Sequence, residues 1–450
     1  MSRIARIAAL SAAAFVLPGI ALFLGVQTLE RREHPALLPP MSAAEVFTAP
    51  RPTLDRTRPT VVVLLGRDLT EITDALGPYE MFARVGKYNV VMAASERQPT
   101  LLTGGLRILP HYSLAELDSI LSGPASVVVI PNLPNAGAPL NRQVIDWIRQ
   151  QAHAGALIHS WCKGAMALAE TGLLDGQTAT AHWGDIDGLE KRYPAVKWVR
   201  GVRWIDRGQY VMSAGITSGI DASLRVLIRI AGDSVARRVA REIRYPNYHF
   251  AIDPTVEQYK LRLGDAVLYA NAAFRVNLPR VAVALYDGVT EFDLSNVYDA
   301  HVHTVVAEAR TIAATVGPIV TAHGLTLYPS QVLTESSSDS FDRVLVPGTE
   351  ARNAAAALTQ ALALKAPGAA VEYLHADEPS RFGLEPVIEH LARAADAPTA
   401  RFALRRMEFR STNVDFRGLS LPLVPMLTAM TLAAVGFGLA WAWNRHVRST

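Results

Sequence analysis

The sequence predicts an α/β fold: a three-layer sandwich on a mostly parallel sheet, duplicated in shortened form, with two transmembrane helices. Three observations carry this expectation. Short β-branched runs alternate with amphipathic helical stretches between residues 59 and 255, the pattern of a parallel sheet covered on both faces. A set of motifs recurs at a fixed offset later in the chain. An apolar run near each end is about 20 residues long, enough to cross about 30 Å of hydrocarbon as a helix.

From the N-terminus, Ile7 to Val26 is apolar apart from Ser11 and follows Arg3 and Arg6. No small-x-small cleavage pattern precedes Gln27-Thr28-Leu29-Glu30, so residues 4–27 are expected to form an uncleaved anchor rather than a removed signal peptide. Residues 28–58 carry Pro35, Pro39, Pro40, Pro50 and Pro52 with little periodicity and read as a linker.

The elements then follow in order. Val61 to Leu65, bounded by Gly66, is a buried parallel strand. Leu76 to Val85 is helical, Tyr88 to Ala93 is a second strand, and Ser126 to Ile130 is a third, ending at Pro131-Asn132. Asn141 to Ala152 is an amphipathic helix with Val144, Ile145 and Ile148 on one side. Ala156 to His159 is a short strand running into Ser160-Trp161-Cys162-Lys163-Gly164-Ala165, and Met166 to Glu170 starts a helix. In such a sheet the ligand site lies at the carboxyl ends of the strands.

The later part repeats the earlier one. Thr103–Pro110 resembles Ala322–Pro329, with an offset of 324 − 105 = 219, and the same offset pairs Asp68 with Asp287 and Asp74 with Asp293. Val128–Pro131 matches Val344–Pro347 after a small shift. Ala236–Arg241 resembles Ala400–Arg405, where the offset is 401 − 237 = 164. The second copy therefore lacks 219 − 164 = 55 positions, the part of the first copy that holds Cys162 and His182. The expected domains are 59–255, with the cysteine, and 275–410, a shortened repeat without it.

A second apolar run, Leu419 to Trp443, is free of charge; residues 419–443 are expected to cross the membrane. Pro422 and Pro425 sit near its start, where a helix tolerates them, and Trp441 and Trp443 near its exit, as an interfacial belt would. Arg445 and Arg448 follow. Basic residues on the outer side of both runs place both termini in the cytoplasm and the middle in the periplasm, at the inner membrane. Arg31, Arg32, Arg405, Arg406, Arg410 and Arg417 flank the runs on the other side and count against this, leaving the cytoplasm as the alternative.

Half the chain is hydrophobic and 19% is charged, which excludes a disordered tail. The net charge of +3, with no dense Lys/Arg stripe beside aromatics, gives no reason to expect nucleic-acid binding. The single cysteine, Cys162, excludes an internal disulfide and argues against a cysteine-based metal site. No cofactor and no metal are expected.

A strand that ends in a sharp turn bearing a nucleophile, with a helix behind it, is a nucleophile elbow. The helix N-terminus there stabilises a thiolate, and backbone N–H groups can hold an oxyanion. Cys162 fits this position, with Lys163 as an adjacent cation; the competing reading is a buried structural cysteine.

Four stretches carry a more specific likeness: Asp74–Phe82, Ser160–Ala165, Leu173–Trp183 and Ser213–Asp221. Through them residues 60–250 resemble the DJ-1/PfpI family, of the class I glutamine amidotransferase-like fold, and most closely the amidase-like domain at the front of AraC-type regulators. The later copy resembles the same family more weakly. The resemblance implies a flavodoxin-like sandwich with Cys162 as reactive cysteine and Asp74 as an acid hydrogen-bonded to the thiol. His182, 182 − 162 = 20 residues on, is implied as base or orienting group. Asp74 also suits an N-cap, and His182 also suits a core histidine bonded to backbone. Thr217 and Asp221 are expected to shape the fold.

Two departures bear on activity. Lys163 stands where the family usually has Thr or a small residue, on which hydratase activity depends, and Asn132 where it commonly has the glycine of the oxyanion pocket. The expected function is a membrane-anchored, Cys-dependent hydrolase or hydratase for a small molecule: amidase, hydratase or glyoxalase-like. The alternative is a non-catalytic redox or electrophile sensor or ligand-binding regulator. Transcription regulation ranks third, because no helix-turn-helix pair with a basic recognition helix is visible. The expected partners are the bilayer, through both spans, and a small-molecule ligand, with the second copy mimicking a dimer partner.

Overall fold

The computed structural model describes residues 10–32, 34–334 and 341–449. Arg3, Arg6 and the first residues of the N-terminal apolar run lie outside the described residues, as does the Arg448 side chain.

Seven strands form the first sheet, in the order Trp204–Arg207, Tyr210–Ser213, Leu157–Ser160, Val127–Ile130, Thr60–Leu64, Asn89–Ala94, Tyr112–Ser113. All neighbours are parallel except the edge hairpin of the first two. Val61, Val62 and Val63 are fully buried, as a strand covered on both faces requires. The chain is an α/β protein with mostly parallel sheets. A second sheet, entirely parallel, runs Gln331–Val332, Glu308–Ala313, Arg280–Ala284, Arg343–Val346, Ala370–Tyr373.

A third sheet stitches the earlier and later parts together. Its order is Ile319–Val320, Thr326–Tyr328, Leu106–Leu109, Thr100–Leu102, Leu69–Thr70. Thr326–Tyr328 pairs antiparallel with Leu106–Leu109, and Leu327 stands opposite Ile108, with 327 − 108 = 219. Helices Ile72–Ala83 and Glu291–Val302 also pack on each other, and Phe292 N–H donates to Glu80 at 2.8 Å.

The strands and the helix Arg142–His153 lie within a residue or two of their predicted bounds. The helix expected over 76–85 begins at Ile72 instead, because the Glu71 side chain caps it by accepting the Asp74 N–H at 2.6 Å. Asp74 is therefore not the N-cap. The expected linker is partly helical: the first helix continues to Arg32, and Ala43–Thr48 forms a turn closed by a Ser42/Glu45 capping box.

Two helices, Leu10–Arg32 and Leu423–His446, are long and apolar enough to cross a membrane by length and composition. They pack against each other and against Val267–Phe274, whose Ala273 approaches Gly25 so closely that a Cβ there would lie 2.8 Å from its Cα. Trp441 and Trp443 are exposed at the far end.

Candidate functional site

Leu157–Ser160 ends in the centre of the first sheet, and the chain turns at once into the helix Gly164–Glu170. Trp161 N–H still pairs with the Ile130 carbonyl at 2.9 Å, and Gly164 N–H closes the turn onto the Trp161 carbonyl at 2.6 Å. Between them Cys162 has φ +52°, a left-handed conformation that costs a non-glycine residue about 1–2 kcal/mol. Gly164 permits the turn, since a Cβ there would lie 2.1 Å from the Ile130 oxygen. Cys162 N–H donates to Ser213 Oγ at 3.0 Å, which helps hold the strained residue.

The thiol is guarded. Cys162 is 5% exposed. Burial pushes its pKa well above the ordinary thiol range, and the charges of Asp74 and Asp185 push the same way; Arg406 pulls it down. Burial and these carboxylates act against the thiolate that the helix behind the turn is expected to favour. Lys163 does not serve the sulfur: its Nζ pairs with Asp185 Oδ1 at 3.3 Å.

Asp74 is fully buried in the first turn of Ile72–Ala83. Its Oδ2 accepts the main-chain N–H of Asn132 at 3.0 Å. Burial, and then the neighbouring Glu71 carboxylate, raise its pKa well above the usual carboxylate range. Burial also raises Glu71, but hydrogen bonding with His303 and Asp299 outweighs it and brings Glu71 to about 2.

His182 is buried, and neither of its ring nitrogens is bonded to the sulfur. Nδ1 meets Asp185 Oδ2 at 3.1 Å, Nε2 meets the Arg406 carbonyl at 3.0 Å, and Gly184 N–H donates to Nδ1 at 3.1 Å. The histidine is thus held partly as the backbone-bonded core residue that the sequence also allowed. Burial raises Asp185, yet the His182 hydrogen bond, with the charges of His182, Lys163 and Arg406, outweighs it and keeps this carboxyl well below its usual range.

Residues 406–408, from the later part of the chain, contact the candidate site. Arg406 Nη1 lies 2.9 Å from His182 Nδ1, and Thr217 N–H donates to the Met407 carbonyl at 3.0 Å. Ser218 Oγ donates to Glu408 Oε2 at 2.6 Å, and a Cβ at Gly215 would lie 2.5 Å from the Glu408 side chain. Asp221 sits deeper, accepting from Arg203 and from Tyr245 at 2.8 Å, which is a structural role.

Sequence reasoning missed Asp185, Glu71 and Arg406. The His-x-x-Asp spacing of 182 and 185 is a signal that could have found Asp185. Nothing local marks Arg406, which is 406 − 162 = 244 positions from the cysteine.

A left-handed cysteine follows a parallel strand and precedes a short helix in an α/β protein with mostly parallel sheets. Residues 59–228 match the DJ-1/PfpI family model, and the chain carries a DJ-1/PfpI-family domain. It is 28% identical over 173 residues to an isonitrile hydratase of Pseudomonas putida, covering 38% of this chain and 72% of that protein. It is 33% identical over 99 residues to an HTH-type transcriptional regulator of Pseudomonas aeruginosa, covering 22% of this chain and 29% of the regulator. Another regulator of that species is 25% identical over 173 residues, 36% of this chain and 46% of its own length, so the chain spans less than half of these two relatives. Among solved structures, a DJ-1 superfamily protein from Salmonella typhimurium aligns with a TM-score of 0.37 and 24% identity, over 42% of this chain and 99% of that one.

Proposed function

We propose that this chain is a membrane-anchored DJ-1/PfpI-type module in which Cys162 is a guarded thiol that captures small electrophiles, rather than a hydrolase. The observation that carries this reading is where two main-chain N–H groups beside the cysteine point. Cys162 N–H donates to Ser213 and Asn132 N–H to Asp74. An acyl-transfer enzyme aims such donors at a developing oxyanion; here they are spent on protein acceptors.

In the capture step the Cys162 S–H bond breaks and the sulfur adds to the carbonyl carbon of a small aldehyde; the C=O π pair moves to the oxygen, which takes up the thiol's proton and leaves a neutral hemithioacetal. Asp74, the charge with the largest effect on the thiol, favours the protonated sulfur at rest. Burial keeps the reaction off until a ligand or a movement opens the site.

The later part, 275–410, acts as a shortened duplicate in the place of a dimer partner. Three facts support this: both parallel sheets continue from one central strand outward in the same pattern, Ile108 and Leu327 face each other at the sequence offset, and Arg406 reaches into the site. A chain truncated after Tyr248 should lose solubility or dimerise; a monomeric, fully reactive fragment would count against the partner role. The two apolar helices support an anchor.

The second reading is hydratase-like turnover, favoured by the match that covers 72% of an isonitrile hydratase. Incubating the full-length protein in detergent with small amides, isonitriles and glyoxals separates the two. Capture predicts at most one adduct per chain, on Cys162; repeated turnover that disappears in Cys162→Ser establishes the enzyme.

A further inference from the structure

We infer that residues 261–274 form a membrane-surface element that lies in the headgroup layer of the bilayer, beside the two apolar helices. The inference rests on the proposed anchor and names a further part of the chain that the same bilayer covers.

The helix Val267–Phe274 carries no charged side chain, and Asn271 is its one polar residue. A helix apolar all round is normally buried on every side. Here only Val267 and Asn271 are buried, one turn apart on one face. Asn271 Nδ2 donates to the Thr304 carbonyl at 3.0 Å and to Thr399 Oγ1 at 3.1 Å. Asp265, just before the helix, pairs with Arg405 at 3.1 Å, and Arg275, just after it, pairs with Asp396 at 2.6 Å. Both ends are therefore tied to the later part of the chain, and the helix lies along its surface. Tyr269, two residues from each buried position, falls on the opposite face and is 47% exposed. Leu261 and Leu263, a few residues earlier, are 83% and 94% exposed.

Single exposed leucines are ordinary on a soluble surface. What gives these a partner is their level along the anchor. The helix meets the N-terminal apolar helix at Gly25, where a Cβ would lie 2.8 Å from Ala273 Cα and 2.9 Å from the Ala272 carbonyl carbon. Gly25 is one residue from the end of the apolar run at Val26, and Gln27 and Thr28 follow. At a rise of 1.5 Å per residue it stands about 3 Å inside the first polar residue. A span that ends there puts the contact at the boundary between hydrocarbon and headgroups.

The residue types suit that layer. Tyr269 combines an apolar ring with a polar hydroxyl, as side chains of the interfacial belt do. Lys260 and Arg262 are exposed beside the two leucines, where they can meet lipid phosphates. Eight helical residues cover about 12 Å, too short to cross about 30 Å of hydrocarbon, so the segment lies on the membrane and does not form a third span.

The test is site-directed spin labelling of the full-length protein in nanodiscs of mixed neutral and anionic phospholipid. Cys162→Ser removes the native thiol, and Leu263→Cys and Tyr269→Cys each supply one labelling site. Phe437→Cys, on the second apolar helix, reports hydrocarbon; Val316→Cys, at a position 87% exposed in the later part, reports water. The inference predicts an oxygen-to-nickel accessibility ratio at 263 and 269 severalfold higher than at 316. Nickel-dominated relaxation at 263 and 269, with the label at 437 in lipid, overturns the inference and leaves the anchor standing. Labels at 263 and 269 screened from both reagents, with dipolar broadening, place a second copy of the chain there and also overturn it. A nickel-accessible label at 437 removes the anchor and the inference with it. If the variants do not fold, hydroxyl-radical footprinting of the unaltered protein in the same nanodiscs decides: Tyr269 stays unmodified under lipid, and its oxidation overturns the inference.

Discussion

The main-chain N–H of Asn132 donates to Asp74 Oδ2 at 3.0 Å, so one hydrogen bond ties the buried acid whose charge acts most on Cys162 to the turn after the strand Val127–Ile130. Asp74→Asn keeps an acceptor for this N–H and removes a charge that raises the thiol. The expected outcome is a lower apparent thiol pKa and faster alkylation at neutral pH. The rate profile should also simplify to one step, since the thiol and the carboxyl no longer titrate as a pair. Asn132→Gly, which leaves the main-chain N–H committed to Asp74, should not create amide hydrolysis in a product assay.

Arg406 pulls the Cys162 thiol down, whereas Lys163 is engaged on Asp185. Arg406→Met should raise the thiol pKa and slow alkylation, and Arg406→Lys should restore part of the rate. Lys163→Met should move the same profile less than Asp74→Asn does.

Burial, with the nearby Glu291, raises the Glu80 carboxyl to about 7 although Arg84 opposes the shift. The folded chain therefore holds a proton that the unfolded chain loses above about pH 4.5. Stability should fall as pH rises from about 5 to about 7 and level off above, by up to about 3 kcal/mol from this group. His323 is also raised, because hydrogen bonding to Glu291 outweighs its desolvation; its contribution is likewise present at low pH and lost as pH rises through its folded pKa. Unfolding midpoints measured across this range check the direction, and Glu80→Gln should flatten the decline.

Arg203 and Asp221 form a fully buried ion pair, and Arg203 Nη1 also donates to the Glu408 carbonyl at 2.9 Å. Arg203→Met strands Asp221 and cuts a tie to the later part of the chain. A loss of about 3–5 kcal/mol is expected in denaturant unfolding, with the double variant Arg203→Met/Asp221→Leu recovering part of it.

The two apolar helices and the flanking arginines predict that a reporter fused at the C-terminus reads cytoplasmic and one inserted in the 28–58 segment reads periplasmic. The opposite pair of signals would reverse the proposed topology.

Much of this fold was legible because local patterns carry it. Val61–Leu64 and Val127–Ile130 are unbroken apolar runs of strand length, and the strained turn at Cys162 follows from a short strand abutting small residues. The first turn of Ile72–Ala83 was hidden because polar Thr73 and Asp74 break its apolar periodicity, although both are buried. The electrostatics of the site were not legible. The thiol's environment depends on how deeply Asp74 is buried, on Asp185 and on Arg406, which reaches it only through packing between distant segments. The same holds for Asp293, at the position matching Asp74, where Arg244 supplies a hydrogen bond at 3.1 Å and helps hold that carboxyl below its usual range against burial.

The most direct measurement is the rate of Cys162 alkylation by iodoacetamide against pH in the full-length protein, with Cys162→Ser as the blank. A guarded thiol predicts slow reaction at neutral pH and an inflection above the ordinary value of about 8.5. Fast reaction with an inflection below about 7 would mean a resting thiolate and would contradict the account.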